Sequence, residues 1–174
     1  GLALAGGVPR IPGPMFLSTQ KITASLCSLI WCWAALATTS TALAEDDPIT
    51  IVTTCGMVTD IVRQVGGSHI EVTGLMGEGV DPHLYKPTAG DARAIVAADM
   101  IFYSGLMLEG RMADTFMKAA RLGKTVYPVT ELIDESYLLE PAEFAGHWDP
   151  HVWMDVSAWS RAVDAVATAL CEQD

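Results

Sequence analysis

Four short apolar runs alternate with helical patterns between residues 49 and 174, and this alternation strongly limits the folds open to the chain. Each run is rich in β-branched or aromatic residues, which favour strands. The runs are ITIVTTC at 49–55, HIEVTGLM at 69–76, MIFYSG at 100–105 and TVYPVT at 125–130. Strands that alternate with helices form a largely parallel sheet covered by those helices. The sequence therefore predicts the α/β class, with one parallel-sheet lobe and flanking helices.

The segments between the runs carry helical signals. MVTDIVRQVGG at 57–67 has one apolar face and ends at a pair of glycines. Thr88 and Asp91 have the spacing of a capping box, with Asp in the place of Glu, and predict a helix that reaches Ala98. LEGRMADTFMKAARLG at 108–123 predicts a third helix. Three helices thus follow the first three strands in order.

The last helix is predicted to begin after Asp155, which has the side chain of a typical N-cap. One apolar face is expected to contain Val156, Trp159, Val163, Val166 and Leu170. Cys55 and Cys171 are read as two small buried hydrophobic residues rather than as a disulfide.

The first 44 residues differ in composition from the rest. ITASLCSLIWCWAALATT at 22–39 is apolar, follows Lys21, and is succeeded by ALA at 42–44. This pattern is typical of a cleaved secretory signal peptide, with upstream residues before it. The alternative is a transmembrane anchor, although the densest apolar part is shorter than the ~20 residues that a span needs. We therefore expect residues 1–44 to be removed and residues 45–174 to form one domain.

No lipid-anchoring cysteine is evident in this segment, because neither Cys27 nor Cys32 follows a small residue. Arg10 and Lys21 are its only charged groups. Residues 45–174 consequently retain 8 of the 10 basic groups and all 21 acidic groups, a formal charge of −13. Such a chain repels nucleic acid and anionic lipid and favours cations.

Two stretches share the core Asp-Pro-His, followed by an aliphatic and then an aromatic residue: GVDPHLY at 79–85 and HWDPHVW at 147–153. Each is expected in a loop between a strand and a helix, where the carboxyl edge of a parallel sheet binds ligands. His83 and His151 can therefore converge, although 68 residues separate them. Proline before each histidine stiffens the backbone that carries the ring. Asp81 and Asp149 could orient the rings or could instead cap turns.

Most single histidines are surface residues or satisfied hydrogen-bonding groups, and His69 is placed in that class because it faces outward from a strand. A matched pair in an acidic domain instead favours a site for a divalent metal ion. His147 is a second choice as a ligand, because Pro150 opposes the helix that its spacing from His151 would require. The sequence lacks His-Glu-x-x-His, Gly-x-Ser-x-Gly and Cys-x-x-Cys, so binding is favoured over catalysis.

Three long stretches, at 49–67, 79–112 and 149–170, resemble the metal-specific periplasmic solute-binding proteins of bacterial ABC importers. These proteins capture zinc, manganese or iron, and some were first described as adhesins. The strings DPHLY–PTAGD and DPHVW–D carry the resemblance most specifically. It implies two α/β lobes joined by a long helix, with the metal between them. His83 and His151 match the two ligands of the N-terminal lobe.

The resemblance implies that residues 45–174 are the N-terminal lobe only, since the sequence ends before the linking helix and the second lobe. The expected ligand is Mn²⁺ or Zn²⁺. Zinc-specialised members of the family often carry a long His-rich acidic loop before the second ligand, whereas the acidic segment here contains only His147, which slightly favours manganese or a mixed specificity. The expected partner is an ABC permease in the membrane, and the expected location is the periplasm. A fragment of a zinc-dependent hydrolase and a surface adhesion module are the alternatives.

Overall fold

The computed structural model describes residues 47–144 and 146–173. The strands, β1 to β4, are Ile49–Thr53, Ile70–Gly74, Met100–Tyr103 and Thr125–Pro128. The helices, α1 to α4, are Gly56–Gly66, Ala89–Ala97, Ala113–Arg121 and Val156–Gln173. Residues 1–46, which contain the predicted signal peptide, lie outside this description. Among the described residues, every helix is too short or too polar to cross a membrane.

Within the described residues the strands form one parallel sheet in the order β2-β1-β3-β4. This confirms the predicted α/β class. The central strands β1 and β3 provide the most buried part of the core, in which Phe102, Ile101 and Val52 are at most 3% exposed. Helix α1 packs against α4 through small side chains such as Ala158 and Ala162. All four strands point the same way, so their carboxyl ends lie at one edge of the sheet.

Two helix starts follow the sequence closely. The Thr88 hydroxyl accepts the Asp91 N–H and the Asp91 carboxylate accepts the Thr88 N–H, so the predicted capping box exists. The Asp155 carboxylate accepts the N–H groups of Ser157 and Ala158 at the start of α4. Local side-chain chemistry sets both boundaries.

The predicted helix at 108–123 is wrong over its first five residues. Helix α3 begins at Ala113, after a 3₁₀ turn at Gly110–Met112. The preceding loop contains three successive left-handed residues, Gly105, Leu106 and Met107. The Glu109 carboxylate accepts the N–H groups of Ser104 and Gly105 and the hydroxyl of Thr54. Glu109 is therefore held by the two residues after β3 and by Thr54, the residue after β1, and these contacts replace the first turn of the predicted helix.

Two burial predictions are also wrong. Cys55 is buried, but Cys171 is exposed. Val156 is 84% exposed, although Trp159, Val163, Val166 and Leu170 do pack against the core. The fully buried residues of α4 are instead Val166 and three alanines, Ala158, Ala162 and Ala169.

Candidate metal centre

The two Asp-Pro-His stretches form the same local turn. The Asp81 carboxylate accepts the His83 N–H at 2.9 Å, and the Asp149 carboxylate accepts the His151 N–H at 3.0 Å. Each aspartate therefore closes a turn two residues ahead of itself across the intervening proline. The repeated sequence motif is thus a repeated structural motif that fixes the backbone of each histidine.

The loop that carries His83 leaves the carboxyl end of β2 and is attached to the start of α2. The Tyr85 hydroxyl lies 2.9 Å from a carboxylate oxygen of Asp91 and 3.3 Å from the carbonyl oxygen of Leu75. Asp91 is also the residue of the capping box that begins α2. Tyr85 therefore connects the end of the histidine loop to both flanking elements.

The segment that carries His151 leads directly into α4. His151 precedes a 3₁₀ turn at Val152–Met154, and Val152 is buried in the core. Trp153 is half-buried, and its ring meets the His151 ring edge-on with a centroid distance of 5.2 Å. Trp153 also lines a cavity with Val80 and Pro82 of the other histidine loop. Trp153 thus contacts the His151 ring and borders a cavity that the other histidine loop also lines.

The two imidazole rings converge, as the sequence predicted. The Nε2 atoms of His83 and His151 are 3.3 Å apart, and the ring centroids are 5.3 Å apart. Two nitrogens that each lie 2.0–2.1 Å from a tetrahedral zinc ion are about 3.4 Å from each other. The observed separation therefore suits a shared cation, and it equally suits a hydrogen bond between two neutral rings.

The rings differ in their support. The Nδ1 atom of His151 lies 2.6 Å from the Asp149 carboxylate, so an Nδ1–H that donates there leaves Nε2 with its lone pair free. Donation from the His151 backbone N–H, together with that from the ring, holds the pKa of the Asp149 carboxyl below its usual range. Among the described residues, Asp81 makes no hydrogen bond to the His83 ring. Of the two roles left open by the sequence, both aspartates therefore close a turn, and Asp149 in addition contacts the imidazole ring.

The described residues contain no group of three or more His, Cys, Asp or Glu side chains suited to hold a metal ion. His147, the second choice from the sequence, is exposed and does not complete the pair. His69 is also exposed, in the turn before β2. The centre therefore offers two imidazole nitrogens, whereas a typical divalent metal site in proteins has four or more ligands.

Sequence reasoning missed the roles of Tyr85 and Trp153. The signal was present, since both motifs place an aromatic residue two positions after the histidine. The Tyr85 hydroxyl bonds Asp91 at the start of α2, whereas Trp153 packs against the core and contacts the His151 ring.

A parallel α/β lobe with two converging imidazoles is the arrangement expected for the N-terminal lobe of a metal-specific solute-binding protein. The family model described as "Zinc-uptake complex component A periplasmic" matches residues 51–174, and the chain belongs to that family. The family consists of solute-binding proteins of ABC transporters and not of enzymes.

Individual relatives give the same result. The zinc-binding protein TroA of Treponema pallidum is 46% identical over 133 residues, which are 75% of this chain and 41% of that protein. The manganese-binding lipoprotein MntA of Bacillus subtilis is 35% identical over 147 residues, or 84% of this chain and 47% of that protein. The solved structure of the T. pallidum zinc-binding protein superposes with a TM-score of 0.68 and 43% identity, over 73% of this chain and 45% of the other. The chain thus spans less than half the length of these relatives.

Proposed function

We propose that residues 45–174 are the N-terminal lobe of a periplasmic solute-binding protein that captures Zn²⁺ or Mn²⁺ and delivers it to an ABC permease. The convergence of the His83 and His151 Nε2 atoms to 3.3 Å is the observation that carries this proposal. The names of the relatives support it, because one is a zinc-binding and the other a manganese-binding protein. Capture and release need no chemical step in the protein.

His83 and His151 are the proposed ligands, and both would bind through Nε2. Neutral imidazole is a good ligand for Zn²⁺, whereas Mn²⁺ prefers oxygen. The two nitrogens alone therefore do not select the metal. The ligands at the remaining coordination positions determine whether Zn²⁺ or Mn²⁺ is preferred. Water would fill those positions in this chain, and a second lobe would supply protein ligands in a longer protein.

An exported location is consistent with the signal-peptide pattern in residues 1–44 and with the acidic composition of the remainder. The relative MntA of B. subtilis is a lipoprotein, and the family description is periplasmic. We propose that neither Cys27 nor Cys32 of this chain carries a lipid anchor, because neither has the expected small residue before it.

Titration of the 174-residue chain with Zn²⁺ and with Mn²⁺ tests the proposal. We expect one site with a Kd of about 1 µM or weaker, because two ligands leave the ion half-coordinated. His83→Ala and His151→Ala should each weaken binding at least about tenfold, and the exposed His69→Ala is the matched control. Equal affinity in all three variants would reject the proposed site.

A further inference from the structure

A separate cavity lies between α3, the loop after β3, Val126 of β4, and Glu131 in the segment after β4. Its volume is about 280 Å³. None of its lining residues also lines the cavities beside His151 and Trp153. It is therefore a separate feature from the histidine pair.

One wall of this cavity is aromatic. Tyr103 and Phe116 stack with a centroid distance of 4.3 Å and an interplanar angle of 29°. The side chains of Met107 and Met117 also line the cavity, and they are 67% and 51% exposed. The aromatic faces attract a planar cationic group. The flexible methionine side chains can pack around the aliphatic chain that carries such a group.

The charged groups of the lining are both acidic. Glu109 and Glu131 line the cavity, and no lysine or arginine does. The basic residues of α3, Lys118 and Arg121, belong to the same helix but do not line the cavity. Within the described part of the chain, the lining thus offers two carboxyl groups and no basic partner for them.

Glu109 has acceptor capacity to spare. It is 3% exposed, and its Oε1 atom accepts the Thr54 hydroxyl and the Ser104 N–H. Among the described residues, its Oε2 atom accepts a single hydrogen bond, from the Gly105 N–H at 3.3 Å. A carboxylate offers about four acceptor positions, so Oε2 can receive another donor. Burial raises the pKa of this carboxyl, and a bound cation would offset that desolvation.

Tyr103 adds a neutral polar group. Burial, together with the nearby Glu131 and Glu109 carboxylates, raises the pKa of Tyr103 to about 12. The phenol therefore stays protonated at neutral pH, and its oxygen can accept a hydrogen bond from a cationic donor. A bare metal ion fits the cavity poorly, because most of the lining is apolar and hard cations require a shell of oxygen ligands.

We propose that this cavity receives an arginine side chain from a protein partner. The guanidinium would lie against the Tyr103–Phe116 pair and donate to Glu131 and to Oε2 of Glu109. A protein is a better source than a free small cation, because Met107, Met117 and the neighbouring Leu132 expose large apolar surfaces. A partner surface would cover those side chains, as the cores of protein interfaces do, whereas a free cation would leave them in water.

The test uses the peptide acetyl-Gly-Arg-Gly-amide as probe, its citrulline analogue, and the guanidinium ion alone. Calorimetric titration of the 174-residue chain should detect the arginine peptide and not the neutral citrulline peptide. Glu131→Gln should weaken peptide binding about fivefold, and Glu135→Gln, an exposed glutamate on the following segment, should leave it unchanged. Equal binding of both peptides, or an unaffected Glu131→Gln variant, would overturn the proposal.

Two further results separate this cavity from the metal centre. Guanidinium alone should bind much more weakly than the peptide, and equal affinity would reject a protein partner. The Glu131→Gln variant should bind Zn²⁺ like the unmodified chain, and His83→Ala should bind the peptide normally. Loss of both activities in either variant would contradict the independence of the two sites.

Discussion

At the scale of single residues, Asp81 and Asp149 occupy the same place in the motif but act differently. Both accept the N–H of the histidine two residues on, and only Asp149 also contacts the imidazole ring. The carboxylate beside Nδ1 fixes the His151 tautomer that leaves Nε2 free for a metal. His151 is therefore the better-oriented of the two proposed ligands.

This difference predicts an unequal response to mutation. Asp149→Asn should weaken Zn²⁺ binding about tenfold or more, because the neutral amide holds the imidazole less firmly in the metal-binding tautomer. Asp81→Asn is the matched control and should change the affinity much less. Chelator competition measures both constants, and an equal loss in the two variants would show that the ring contact of Asp149 has no special role.

The sequence predicted that these histidines meet, because two strand-to-helix loops at one edge of a parallel sheet lie close together. It could not distinguish Asp81 from Asp149, since the local sequence is Asp-Pro-His in both. The difference depends on how each ring is oriented, which the neighbouring loop and Trp153 determine. The role of each aspartate therefore depends on tertiary packing and not on the Asp-Pro-His motif alone.

At the scale of elements, the loop between β3 and α3 departs most from the sequence pattern. Leu106 and Met107 have φ values of 49° and 65°, in the left-handed region that non-glycine residues seldom adopt. The sequence places no glycine at either position, so it carries no local signal for these left-handed residues just before the predicted helix at 108–123. The hydrogen bonds to the buried Glu109 carboxylate stabilise the loop instead.

The strained conformation predicts an unusual effect of glycine. Met107→Gly should raise the free energy of unfolding by about 0.5–1 kcal/mol, because glycine has no Cβ to oppose a positive φ. Met117→Gly, at an exposed position inside α3, should lower it by about 1 kcal/mol. Urea denaturation of both variants gives the comparison, and destabilisation by Met107→Gly would show that the loop is not strained there.

The starts of β1 and β3 are joined by a polar contact at the edge of the sheet opposite the histidines. The hydroxyl and the N–H of Thr50 both donate to the Asp99 carboxylate, at 2.6 and 2.9 Å. These bonds, the hydroxyl first, lower the pKa of Asp99. Because the folded-state pKa lies below that of the unfolded chain, the contact stabilises the fold at neutral pH. This contribution is lost as the pH falls from about 4 through the folded-state pKa.

Asp99→Asn should therefore lower the free energy of unfolding at pH 7. The difference between its free energies of unfolding at pH 7 and pH 3 should be smaller than in the unmodified chain. Asp60→Asn, at an exposed position on α1, is the control and should leave the pH dependence as it is in the unmodified chain. Urea denaturation at the two pH values measures this difference. An unchanged dependence in Asp99→Asn would mean that the pair with Thr50 contributes nothing to acid sensitivity.

At the scale of the whole molecule, the alternation of strands and helices was sufficient to predict the α/β class, since a parallel sheet needs a crossover after each strand. The position of the ligand edge follows from that architecture. The strand order β2-β1-β3-β4 does not, because it depends on strand pairing that the alternation leaves open. The number of metal ligands could not be derived from the alternation. The described residues present two imidazoles in register at one edge, which is half of a typical metal site.

The most direct test of this centre is NMR of the imidazole nitrogens during a Zn²⁺ titration of the 174-residue chain. If the two rings share one cation, the Nε2 signals of His83 and His151 will shift together and reach an end point at one equivalent, while those of His69 and His147 stay in place. Movement of only one of the two Nε2 signals, or equal movement of all four histidines, would contradict a shared site.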